Sequence, residues 1–293
     1  MLGVDGMSMD MLREKIRKTK NPSMVELALA VEQLPTQFSK DGAGYGSFCQ
    51  QLLEGLKGNV GAVRLSFTAF SMLGHDGLYQ LSQTLIKARE LGYYVLLDAP
   101  EILSPAMASI AASNLLGQQS LYPCDGLVVS GYLGSDVIKP FLPYCKKEGK
   151  DLFVVVRTAN KSAPELQDLL SGTRLVHEAA ADHVNRHAGN AGKSGYAQVG
   201  IVAAASAAES LRSLRAKYPK LFILVDGYDY PNANAKNCAS AFDKFGHGAV
   251  VCGGEQITCA WKKAETDGAD FIAQAQAAAE RMKKNLTRYT TVL

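Results

Sequence analysis

Eight short apolar runs, rich in β-branched and aromatic residues and each followed by a stretch of helical periodicity, restrict what this chain can fold into. The runs are "MVELALAV" (24–31), "VGAVRLSF" (60–67), "YYVLLD" (93–98), "DGLVVS" (125–130), "LFVVVR" (152–157), "AQVGIVAA" (197–204), "LFILVD" (221–226) and "GAVVCG" (248–253). The intervening "GLYQLSQTLIKARELG", "GSDVIKPFLPYCKKEG" and "SAAESLRSLRAKYP" read as amphipathic helices closed by Gly or Pro. Near-continuous apolar strands belong to a parallel sheet covered on both faces, and eight joined by helices most simply close into an α/β fold of the (β/α)8 TIM-barrel type. An open doubly wound sheet is the structural alternative, but no GxGxxG opens a helix.

The 293 residues are expected to form a single barrel domain over 1–293, with 1–20 as an N-terminal helical extension. "GNAGKSG" (189–195) lacks both the phosphate-loop spacing and a preceding strand. It reads as a flexible connector, and its place before the sixth strand makes it a candidate loop over the barrel mouth.

Charge narrows the partners: 31 basic residues face 28 acidic ones without a long basic block, so nucleic acid is not expected. Neither a signal-peptide run nor an uninterrupted apolar stretch of ~18 residues occurs, so no membrane association and a cytoplasmic location are expected. The six cysteines contain no CxxC pair and read as buried free thiols.

In a barrel of this kind chemistry gathers at the carboxyl ends of the strands. Those ends carry Arg64, Asp98 with Glu101, Ser130, Arg157 with Thr158 and Asn160, Asp226 to Asp229 including Gly227, and Gly253, Gly254 and Glu255. Asp98 either accepts from the amides of the next loop or contacts a substrate, whereas Arg157, Thr158 and Asn160 either form a rim network or bind ligand. Glu101, Asp226, Asp229 and Glu255 read singly as solvated loop carboxylates. Converging with Asp98 on one mouth, they would suit a divalent metal or a cationic ligand, although no metal ligands are assigned. His75 and His247 read as turn residues, and His177, His183 and His187 as a solvated helix face.

The order of these motifs resembles the orotidine 5′-phosphate decarboxylase family in its longer bacterial type. "VSGYLGSDVIKPFL" is similar to that family's "VNPYLGSDSLEPFL", and "FVVVRTANKSAPELQDL" to its "FVLVRTSNPSSADLQDL". "FSMLGHDGLYQL", "KARELGYYVLLDA" and "QVGIVAAASAAESLRSLR" also resemble family segments, and the likeness runs over roughly residues 10–290. It implies decarboxylation of orotidine monophosphate to UMP, a step of pyrimidine biosynthesis, without metal or organic cofactor. It also implies a homodimer with active sites at its interface.

The family's Lys-Asp-Lys-Asp array comes from a "VKPQ" and a "DAKRGDI" motif. Here the corresponding stretches read "VRLS" and "DAPEILS", which keep Asp98, place Arg64 at the first lysine, and put Pro100 and Leu103 at the second lysine and second aspartate. Decarboxylation leaves a carbanion that must be protonated, and a guanidinium with a pKa above ~12 is a very poor donor. No lysine lies between Lys87 and Lys139 to replace it. The family's phosphate-gripping "NSSR" corresponds to Cys252 to Glu255, its "PGxGAQGG" turn to "DGYDYPNAN", and its ribose-contacting aspartate to Ala28.

By that resemblance Asp98 and Arg64 are the candidate catalytic residues, and Ser130, Arg157, Thr158, Asn160, Gly227, Gly253 and Gly254 the candidate substrate contacts. Three readings follow. The first is a family barrel with impaired or absent catalysis that binds a nucleotide or other small molecule or pairs with another chain; the second is an active decarboxylase; the third is a metal-assisted enzyme using the acidic mouth.

Overall fold

The computed structural model describes residues 8–99 and 101–291. Among the described residues ten strands form, in chain order β1 Ser23–Leu27, β2 Ala62–Ser66, β3 Tyr94–Asp98, β4 Gly126–Ser130, β5 Asp151–Val155, β6 Leu170–Ser171, β7 Arg174–Leu175, β8 Val199–Ala204, β9 Ile223–Asp226 and β10 Ala249–Gly253. Eight of them close a parallel barrel in the order β1-β10-β9-β8-β5-β4-β3-β2, as the alternating apolar and helical runs predict. The open-sheet alternative is excluded by the pairing of β1 with both β2 and β10.

The barrel strands fall where the apolar runs place them, with shorter ends. β1 stops at Leu27, after which Val31–Gln33 turns as a 3-10 helix. The "GSDVIKPFLPYCKKEG" stretch breaks into 3-10 turns at Ser135–Val137 and Lys139–Phe141 before the helix Leu142–Glu148. Pro140 and Pro143 lack the amide protons that a continuous helix would need. β6 and β7 form a small antiparallel pair that two-residue strands leave invisible to periodicity.

Alternation along each strand decides which side chains enter the barrel. Met24, Ala62, Tyr94, Leu96, Phe153, Phe222, Leu224 and Val250 pack inside, while Val25, Val63, Val95, Leu127 and Val154 face the helical layer. The helix α1, Ser8–Thr19, inserts Met9, Leu12 and Ile16 into the inner cluster and so plugs the amino-terminal end of the barrel. Residues 1–7 of the expected extension lie outside the described residues.

The connector 189–195 is not at the mouth. The amides of Lys193 and Ser194 donate to the Asp10 carboxylate of α1 at 3.2 and 2.7 Å, which fixes it at the plugged end. A loop that enters a strand reaches the amino-terminal rim, opposite the face where chemistry gathers.

Candidate functional site

The same alternation that fills the barrel with apolar side chains delivers charge at its carboxyl end. Glu26 lies two residues beyond inward-facing Met24, Arg64 two beyond Ala62, Asp98 two beyond Leu96, and Asp226 two beyond Leu224. The register sets Glu26 opposite Arg64 and Arg64 opposite Leu96, so Asp98 stands one inward position further along β3, where the long Arg64 side chain reaches it.

Arg64 is the hub. Its Nε donates to Asp98 Oδ1 at 2.9 Å and its Nη2 pairs with Asp98 Oδ2 at 2.8 Å, a two-point fork. Nη1 donates to Asp226 Oδ1 at 2.9 Å, and Glu26 Oε1 lies 3.6 Å from Nε. Burial opposes charge on Arg64, but Asp98, Asp226 and Glu26 outweigh it and hold the guanidinium well above its ordinary pKa. It remains a cation and does not release protons.

Three carboxyl groups around one guanidinium leave the cluster short of positive charge. Burial pushes Glu26 up to about 7, opposed by Arg64 and reinforced by Asp226, Asp98 and Asp229. Burial also raises Asp98, against the pull of Arg64. The thiol of Cys252, buried beside them, is raised well above its usual value, first by burial and then by Glu26. Ligand atoms of Glu26, Asp226 and Cys252 lie within 4.8 Å of one another, yet Arg64 already supplies the positive charge that a metal would bring.

Two cavities flank this cluster. The larger, of about 500 Å³, is lined by Arg64, Asp98, Glu101, Ser130 and Thr158 together with Ser66, Thr68, Tyr132 and an apolar wall that includes Ile102, Leu103 and Val128. The smaller, of about 340 Å³, is lined by Glu26, Ala28, Asp229, Tyr230, Gly254 and Glu255. The acidic residues of the strand ends therefore divide between two spaces, with the Arg64 cluster between them. Asp226, expected as a solvated loop carboxylate, is part of that cluster. Pro100 lies outside the described residues.

The backbone at the end of β10 is occupied from within the chain. Asp229 accepts from the amides of Gly254 and Gln256 at 2.7 and 3.4 Å. Gly253 is backed by Met282, whose sulfur would lie 2.8 Å from an added Cβ. Gly227 turns the chain out of β9 with φ +74°, and a Cβ there would lie 2.3 Å from that of Ala159.

On the β5 side, Arg157 forks onto Asp168 with two contacts of 2.9 Å and donates to the Thr158 carbonyl at 2.6 Å. Thr158 is held by Gln167 through its amide and hydroxyl and donates to Asn160 at 2.5 Å. These contacts form a rim network in which the Thr158 side reaches the larger cavity. His177 belongs to the same network: it is buried, with Nδ1 2.9 Å from the Gln167 carbonyl and 3.1 Å from Asp168. The expected solvated histidine face is thus wrong for His177, because the loop carrying Asp168 folds over it.

Glu26 was not among the sequence candidates. Its signal is one charge in an otherwise apolar strand, in phase with the inward positions.

Comparison with known proteins fits this architecture. The family model described as orotidine 5′-phosphate decarboxylase / HUMPS family matches residues 96–247. Orotidine 5′-phosphate decarboxylase of Rhodopirellula baltica is 29% identical over 94% of this chain and 97% of its own length, and that of Clostridium perfringens strain SM101 is 27% identical over the same shares. Among solved structures, one from Toxoplasma gondii superposes with a TM-score of 0.81 at 23% identity, covering 98% of this chain and 99% of that one. The Leishmania donovani OMP decarboxylase gives 0.74 at 24% identity, covering 97% and 98%. The family model spans β3 to the turn before β10, over half of the sequence, and the chain belongs to the orotidine 5′-phosphate decarboxylase / HUMPS family.

Proposed function

We propose that this protein is a ligand-binding barrel of the family in which decarboxylation is impaired or absent. One observation carries the reading: the strand-two cation is Arg64, locked to Asp98 and Asp226, and among the described residues no lysine lines either cavity. Loss of carbon dioxide from a pyrimidine carboxylate leaves an electron pair on carbon. That pair needs an ammonium or an acid of matched pKa to stabilise and protonate it. A guanidinium fixed by carboxylates stabilises charge poorly, because its own charge is already matched, and it does not give up a proton to carbon. The protein is further proposed to act as one barrel domain, as a homodimer, in the cytoplasm, on a small molecule of nucleotide or related type.

The alternative is an active decarboxylase converting orotidine monophosphate to UMP and carbon dioxide. The relatives bearing that name, similar over nearly their whole length, favour it. In that case Glu26, with its pKa at about 7, is the acid best matched to donate the proton. The absorbance change of orotidine monophosphate at high protein concentration separates the two. No turnover above background supports the first reading, and turnover lost on Glu26→Gln establishes the second.

A further inference from the structure

We infer that the mouth of this barrel takes an uncharged, hydroxyl-rich ligand of nucleoside size and discriminates against the phosphorylated form of the same molecule. The inference rests on the proposed ligand-binding role and names the class of ligand.

Charge at the mouth points this way. Among the described residues lining the two cavities, the one cation is Arg64, and its donors face Asp98, Asp226 and Glu26. The amides at the start of the Glu255–Thr258 turn, which would otherwise receive an anion, are taken by Asp229. Glu255 is exposed beside them, and Glu101 stands at the rim of the larger cavity. A phosphate monoester carries about −1.5 to −2 charges at neutral pH. Placed in either cavity it meets carboxylates with no unpaired cation among the described lining residues, and the repulsion is strengthened by the low-dielectric walls.

The same lining suits a neutral polar molecule. The carboxylates at the barrel axis accept hydrogen bonds from ligand hydroxyls, and Ser66, Thr68 and Ser130 add groups that both donate and accept. Ile102, Val128 and Val155 give an apolar wall for a flat ring. At about 500 Å³ the cavity is within the usual range for small-molecule sites.

The test is a minimal pair differing only in phosphate. Uridine and UMP are titrated separately into the full chain by calorimetry near neutral pH, with inorganic phosphate as a control. Uridine is expected to bind at least about tenfold more tightly than UMP, a gap that narrows as salt is raised. The double variant Asp229→Asn, Glu255→Gln is expected to narrow the same gap by at least about threefold. UMP binding as tightly as uridine or more tightly, inorganic phosphate competing with uridine, or no uridine binding at millimolar concentration would each overturn the inference. Turnover of orotidine monophosphate instead removes the reading beneath it, so the two failures are distinct.

Discussion

Arg64 and Asp98, on neighbouring strands of the barrel, meet in a two-point fork with contacts of 2.9 and 2.8 Å. Removing one partner of such a pair leaves the other charge buried, which costs more than the pair itself contributes. Asp98→Asn leaves Arg64 with Asp226 and Glu26, so the expected loss is about 2 kcal/mol. Arg64→Met leaves three carboxyl groups facing one another and is expected to cost about 3–5 kcal/mol at pH 8, and less at pH 5, where they take up protons. Urea unfolding of both variants at the two pH values checks the order, and an Arg64→Met protein as stable as the parent at pH 8 would remove the cluster's structural role.

Glu26 sets the pH dependence. Its pKa rises from 4.5 to about 7 in the folded protein, so folding takes up a proton between those values. Stability therefore falls as pH rises through that window and levels off above it. Glu26→Gln keeps the shape and removes the ionisation. The variant is expected to show a flatter profile between pH 5 and 8 and to exceed the parent by about 1–3 kcal/mol at pH 8. Parallel pH profiles for the two proteins would show that Glu26 does not hold the proton.

Much of the fold can be read in the sequence because the barrel depends on a pattern rather than on particular residues. Any apolar run of the right length, followed by a helix, supplies one unit. The site depends on phase. Asp226 ends its strand in the inward phase, two residues beyond Leu224, so it reaches Arg64 although its place before Gly227 suggests a loop. Glu26 falls in phase with Met24, whereas the position matching the family's ribose-contacting aspartate is Ala28, two residues further on. His177 shows the converse limit: no local pattern reveals that the loop with Gln167 and Asp168 folds back over its helix.

Gly227 leaves β9 in the left-handed region at φ +74°, with Ala159 of the neighbouring loop against it. Gly227→Ala adds a strained backbone and a contact of 2.3 Å that backbone movement must relieve. A loss of about 2–3 kcal/mol is expected by thermal or urea unfolding. A neutral result would mean that the turn can adopt another conformation.

Arg157 and Asp168 tie the rim of β5 to the loop beyond it by two parallel contacts, and Arg157 is buried. Lysine keeps the charge but offers a point donor in place of a fork, so Arg157→Lys is expected to lose about 1–3 kcal/mol and not to rescue Arg157→Ala fully. Unfolding midpoints of both variants check it, and full rescue by lysine would show that charge alone holds the rim.

Glu26, Asp226 and Cys252 offer three ligand atoms within 4.8 Å, a spacing that would admit a divalent ion. The guanidinium of Arg64 lies among them, bound to Asp226 at 2.9 Å and 3.6 Å from Glu26, so an incoming cation would have to displace one already fixed by the fork with Asp98. Burial and Glu26 keep the Cys252 thiol protonated, which removes its strength as a ligand. Adding Mg²⁺ or Zn²⁺, or removing metals with EDTA, is therefore expected to leave the melting temperature within about 1 °C. A rise of several degrees with either ion would reverse this argument and restore the metal-assisted reading of the mouth.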